Sequence, residues 1–300
     1  MAKKNFHEAL GEFDTYLRVE KNLSERTRTA YQYDLRRFGD FLTTLRKRTP
    51  NIDEVGAPDI RLYLQRLQID RGYNSTTLSR VIASIRVFFE YLVHVGSART
   101  SPAAYFHNPK KPKKLPIFLV EGELKKLLQT PDTSNWRGVR DYALLLTFAF
   151  TGLRLQELVS LDLGDVDFER KTLRVFGKGA KERIVPMSER LADAMSRYLA
   201  VRLFAETDAL FLNYRLRRLS PRGIEKIVRQ YAIRSGIAKR KISPHKLRHT
   251  FATLLHHGGV DILEIQSLLG HASITSTQIY THTSSEKLAG AVNKLDSLGL

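Results

Sequence analysis

Apolar residues recur every three to four positions through the first hundred residues, with polar residues between them. Phe6, Leu10, Phe13 and Leu17 fall on one stripe and predict a helix from Asn5 to Val19. Ser24 has the character of an N-cap for a long helix through Leu45, whose apolar face is Tyr31, Leu35, Phe38, Phe41 and Leu42. Ala57-Pro58 opens a third helix to about Gln68, because proline is tolerated in a first turn. Asn74-Ser75 precedes a fourth, about Thr76 to Val95, that stops before Gly96. Four helices with short connections predict a small antiparallel bundle.

The pattern breaks at residues 102–116. Asn108-Pro-Lys-Lys-Pro-Lys-Lys-Leu-Pro holds three prolines and four lysines in nine residues. Proline removes backbone donors and blocks helix, so the stretch reads as an extended linker, either a plain solvated one or a basic strap along an anionic partner. The domains expected are therefore 1–107 and 117–300, joined by 108–116. Beyond it, Arg140 to Thr151 is a strongly apolar helix. Asp165–Phe168, Thr172–Phe176 and Glu182–Pro186 alternate as three short antiparallel strands, with turns at Glu169–Lys171 and Gly177–Lys181. Helices are expected at Ser188–Phe204, Pro221–Ser235, from Ser243-Pro244 to Gly258, at Asp261–Leu269, around Tyr280, and at Ser285–Leu298. The fold class is mainly α with a small antiparallel β-sheet.

Composition narrows the classes. The 300 residues include 42% hydrophobic positions, enough for sizeable cores, and the length predicts two domains. No apolar run reaches the ~18 residues of a membrane span. The start, Met1-Ala-Lys-Lys-Asn-Phe, has no apolar segment behind its lysines, so no secretory leader is expected. The chain has no cysteine, which removes disulfides and Cys-ligated metals and fits a reducing, cytoplasmic compartment. A net charge of +18 predicts a polyanionic partner, with nucleic acid favoured over a ribosomal or membrane surface.

Candidate chemistry lies mostly in the last sixty residues. His245 and Arg248 are three apart in one predicted helix, near the end where the helix dipole favours an anion. Arg154 follows Thr151-Gly152, a glycine placed to turn the chain, and Glu157 stands three residues on as a partner for it. Lys178 occupies a Gly-Lys-Gly turn, His271 follows a helix-stopping glycine, and Tyr280 comes nine residues later. Taken singly, each has a plainer explanation: a helical salt bridge, an ordinary turn, a cap, a core tyrosine. Together, two fixed cations, two imidazoles and a phenol suit attack on a phosphodiester by a tyrosine. Two nucleotide and metal alternatives fit poorly. A phosphate-binding P-loop needs Gly-x-x-x-x-Gly-Lys-Ser/Thr, and here Gly179 follows the lysine. His245 and His249 have the i, i+4 spacing of a zinc helix, but Lys246 stands where the glutamate base would be. No cofactor and no metal are expected.

The motifs Thr151-Gly-Leu-Arg-Leu-Gln-Glu-Leu, Gly177-Lys-Gly-Ala-Lys-Glu-Arg, Pro244-His-Lys-Leu-Arg-His-Thr-Phe-Ala-Thr, Leu268-Leu-Gly-His-Ala and Thr277-Gln-Ile-Tyr-Thr-His occur in that order. In them the chain resembles the tyrosine recombinases (the phage integrase family), particularly their Xer type, and the resemblance runs nearly end to end. It departs at Gln156, where relatives often carry a small residue. The resemblance implies an N-terminal four-helix core-binding domain and a C-terminal catalytic domain that clamp duplex DNA. It implies the catalytic set Arg154, Lys178, His245, Arg248, His271 and Tyr280, supported by Glu157. Tyr280 would form a 3′-phosphotyrosyl link, His245 would act as base, the arginines would hold the non-bridging oxygens, His271 would donate to them, and Lys178 would protonate the leaving 5′-oxygen. Implied partners are a specific double-stranded DNA site, a homo-tetramer or a hetero-tetramer with a paralogue, and a DNA-translocase activator, with no membrane. The final helix would dock into a neighbouring protomer or pack on its own domain. Rival readings are a type IB topoisomerase, a mobile-element integrase with the same chemistry, and a catalytically silent DNA-binding protein.

Overall fold

A computed structural model describes residues 5–70, 72–109, 117–177, 182–237, 242–270 and 285–296, the side chains of 285–287 excepted. The chain divides into two compact units, Met1–Lys114 and Leu115–Leu300.

The first unit is built from α1 (Phe6–Val19), α2 (Glu25–Arg46), α3 (Ala57–Ile69) and α4 (Ser75–His94). Side chains set the starts: Asn5 accepts from the Glu8 N–H at 2.9 Å while Glu8 accepts from the Asn5 N–H at 3.1 Å, and Asn74 accepts from the Thr77 N–H at 2.9 Å. These reciprocal bonds satisfy donors that a helix start leaves open. The predicted stripes turn inward, and Phe6, Phe13, Phe38 and Phe88 are fully buried with their rings in mutual contact. Asp34 of α2 is buried too, held by Arg80 of α4, so one ion pair locks the two helices together.

The second unit carries α5 (Glu121–Gln129), α6 (Trp136–Thr151), α7 (Leu155–Ser160), β1 (Val166–Asp167), β2 (Thr172–Phe176), β3 (Glu182–Pro186), α8 (Glu189–Val201), α9 (Pro221–Arg234), α10 (Pro244–His257), α11 (Ile262–Leu269) and α12 (Ser285–Asn293). The strands form one antiparallel sheet in the order β1-β2-β3, with Leu173 opposite Val185 and Val175 opposite Arg183. Helix α6 is the centre of the core, packed by α5, α8 and α10. A buried polar group fixes its first turns: Arg140 donates to Asp141 at 2.8 Å and to the Leu212 carbonyl at 2.7 Å, and the Tyr231 hydroxyl of α9 donates to Asp141 at 3.0 Å.

The structure departs from the sequence expectations at element ends. Helix α6 begins four residues before Arg140, because Asn135 accepts from the Gly138 N–H and caps it earlier. Helix α8 stops at Val201, and the Arg202 side chain holds the carbonyls of Thr207 and Ala209. Two helices were not foreseen, α5 and α7, each too short for a clear period. Helix α12 packs on α11 and β3 of its own chain, burying Ala291 and Val292, with Leu295 buried just past its end. In a single chain the apolar face of that helix has only its own unit to cover it. The short helix expected around Tyr280, the Gly177–Lys181 turn beyond Gly177, and residues 110–116 of the linker lie outside the described residues. No helix among the described residues is long and apolar enough to cross a membrane.

Candidate active site

The site starts where α6 ends. Gly152 has φ +60°, and a Cβ there would lie 2.4 Å from the Phe251 ring, so the turn requires glycine in both conformation and space. The turn delivers Arg154 to the N-cap of α7. Its N–H donates to Glu157 Oε2 at 2.8 Å, and its Nη1 donates to Glu157 Oε1 at 2.7 Å. The pairing expected from the i, i+3 spacing is therefore present, with the backbone bond as a second anchor.

Arg248 arrives on α10, which α6 packs against. Leu247, Phe251, Leu254 and Leu255 face the core, and Arg248 is drawn in beside them at 6% exposure. It is not left without partners: Nη1 donates to the Gly152 carbonyl and Nη2 to the Leu269 carbonyl, both at 2.7 Å. Ser243 stands at the cap position of α10, but its hydroxyl does not accept a capping bond. The third part of the site is the end of α11. Gly270 takes the left-handed conformation, φ +63°, and its carbonyl accepts from Arg154 Nη2 at 3.1 Å. Two arginines almost a hundred positions apart thus meet at consecutive carbonyls, those of Leu269 and Gly270.

Glu157 is the hub of this arrangement and is buried. Besides Arg154 it accepts from Arg183 Nη1 at 2.9 Å and Nη2 at 2.8 Å, a bidentate pair, while Arg248 Nη1 stands 4.0 Å from Oε2. Burial alone would raise the pKa of this carboxyl. The hydrogen bonds from Arg183 and Arg154 outweigh it and hold the pKa at about 2. Arg248 is lowered to about 10 by burial and by the charges of Arg154 and Arg183 against the pull of Glu157, and so remains a cation at neutral pH. Three guanidiniums surround one carboxylate, leaving an excess of positive charge that suits an anion.

His245 lies in the first turn of α10 and is exposed, one turn before Arg248. Its ring stands edge-on to His249, centroids 5.5 Å apart. Burial, then His245 and Arg248, lower the pKa of His249 and favour its neutral form. Lys178, His271 and Tyr280 lie outside the described residues. Of the expected set, the structure brings together Arg154, Arg248 and Glu157, with His245 on the same helix as Arg248.

Arg183 was missed from sequence. The available signal was its register: on a strand it shares a face with Val185, which is fully buried, so a cation two residues away needs an acid inside.

Comparison with known proteins agrees with this architecture. The phage integrase family model matches residues 118–287, and its N-terminal SAM-like domain matches residues 10–96. The chain is 42% identical to the tyrosine recombinase XerC of Pelotomaculum thermopropionicum, over 94% of this chain and 95% of that one. It is 38% identical to the tyrosine recombinase XerD of Staphylococcus epidermidis, over 92% and 94%. Among solved structures, the XerH site-specific recombinase bound to its difH substrate aligns with a TM-score of 0.70 at 25% identity, covering 96% of this chain and 84% of that one. The mainly helical units, the arginine pair on its carboxylate hub and these matches lead to one assignment: the chain belongs to the phage integrase family, as a Xer-type tyrosine recombinase, an enzyme that breaks and rejoins DNA.

Proposed function

We propose that this recombinase cuts and religates a specific duplex site through Tyr280, with Arg154, Lys178, His245, Arg248 and His271 as the rest of its catalytic set. Tyr280 attacks the scissile phosphate, a 3′-phosphotyrosyl bond forms, and the 5′-oxygen leaves with a proton from Lys178. The covalent link conserves the phosphodiester energy, so rejoining needs no nucleotide cofactor. The phenol, with an ordinary pKa of about 10, gives its proton to His245. Arg154 and Arg248 stay charged and hold the non-bridging oxygens, and His271 adds a donor.

The observation that carries this reading is the convergence of Arg154 and Arg248 at the Gly270 end of α11, one residue before His271 in sequence. Guanidiniums fixed by carbonyls and one carboxylate need no rearrangement when negative charge develops, which is the condition for electrostatic catalysis. The biological reading is resolution of chromosome or plasmid dimers in the cytoplasm, by four protomers on two sites, alone or with a paralogue and under a DNA-translocase activator. It is supported by the Xer-named relatives and by the substrate-bound XerH structure. The test is a nicked duplex that loses its leaving strand on cleavage. The wild-type chain is expected to accumulate on it as a covalent adduct, and Tyr280→Phe to bind without forming one. Adduct of unchanged yield in Tyr280→Phe would overturn the assignment, and sequencing the trapped DNA identifies the site.

A further inference from the structure

The side chain of Arg183 reaches from the sheet to the site and ends on Glu157. Both of its terminal nitrogens are engaged there, at 2.9 and 2.8 Å, and its buried Nε finds no partner among the described residues. Glu157 is thus the one described acceptor of this arginine. Seen from the carboxylate, each oxygen carries one bond from Arg183 and one from Arg154. Arg248, whose Nη1 is 4.0 Å from Oε2, is too far for a hydrogen bond and is held by carbonyls instead. The Arg183 side chain also lies against Gly270, where an added Cβ would be 3.0 Å from its Nη1 and 3.1 Å from its Cδ and Cζ.

We propose that Arg183 is a positioning residue for strand cleavage: by occupying both oxygens of Glu157 from the sheet side, it keeps that carboxylate off Arg248. The two arginines that meet the phosphate then keep their charge for it. Without Arg183, Oε2 keeps only the Arg154 N–H in a buried place, and the nearest guanidinium not already bonded to a carboxylate is that of Arg248. A buried carboxylate closes such a gap, since a charge left with half its donors there is unfavourable even while Arg154 stays bonded to it. The resulting internal ion pair turns Arg248 from a phosphate ligand into a partner of Glu157. Lysine does not replace Arg183, because one ammonium cannot serve both oxygens in the side-on geometry.

This inference rests on the proposed roles of Arg154 and Arg248, and its test separates the two. Adduct formation is followed on the nicked duplex, at saturating protein, for the full-length wild type, R183Q, R183K, E157Q and E157Q/R183Q. Unfolding monitored by the single tryptophan, Trp136, confirms that each variant is folded. R183Q and R183K are expected to bind the duplex as the wild type does and to cleave on the order of a hundredfold more slowly, the usual consequence of a misplaced catalytic group. The double variant is expected to be no slower than E157Q, since Arg183 has nothing left to act through. Multiplying losses in the double variant would overturn the proposal. So would recovery of R183Q on a duplex with sulfur as the 5′ leaving atom, which needs no proton and would trace the defect to the leaving-group step. Failure of the underlying reading shows separately, as adduct formation by Tyr280→Phe.

Discussion

Replacing Glu157 with glutamine removes one negative charge from among three guanidiniums and changes little in shape. The carboxyl pKa falls from the ordinary 4.5 to about 2 in the folded chain. Each unit is about 1.4 kcal/mol, so ionised Glu157 stabilises the second unit by about 3 kcal/mol at neutral pH. The group is buried, so solvent screening does not reduce this much. Because the folded pKa is the lower one, the stabilisation is fully present above pH 4.5 and is lost as the pH falls toward 2. The wild type's advantage over E157Q should therefore shrink by about 1 kcal/mol at pH 4 and about 2 kcal/mol at pH 3. Trp136 is the only tryptophan and lies at the start of α6, so its fluorescence in denaturant reports the second unit within the intact chain. A difference that is under about 1 kcal/mol at pH 7, or that does not decrease between pH 5 and pH 3, would refute the view that Glu157 is the electrostatic hub.

Three further outcomes follow from single contacts. Arg154→Ala should lose roughly a hundredfold or more in adduct formation on the nicked duplex, the usual effect of removing one fixed donor from a developing anion. Gly152→Ala puts a Cβ 2.4 Å from the Phe251 ring at φ +60°. It should destabilise the second unit by roughly 2–4 kcal/mol from strain and overpacking, seen as an earlier Trp136 transition. Thr250→Val keeps shape but removes the hydroxyl that accepts from the Leu119 N–H at 2.9 Å, so about 1–3 kcal/mol should be lost in the same denaturation experiment.

The sequence determined the helices whose faces are periodic and whose starts carry a capping residue. In α1 and α4 the apolar stripe and the Asn5 and Asn74 caps are local, so they are legible without any partner. It also made the arginine–glutamate pair readable, because Arg154 and Glu157 stand only three residues apart in the chain. The glycine before Arg154 was readable as a turn for the same local reason. Helices α5 and α7 were not, being short segments formed by what they pack against. Tertiary structure alone decided how Arg248 is used. The spacing put it on a face with His245, but packing of α10 against α6 draws it inward onto the carbonyls of Gly152 and Leu269 and leaves His245 exposed. Arg183 became part of the site only when the sheet laid its guanidinium across Glu157, twenty-six residues earlier in the chain. Local order follows from backbone periodicity and side-chain chemistry, which act over a few residues. Which cation meets which carboxylate depends on the packing of distant elements, and no local pattern encodes that.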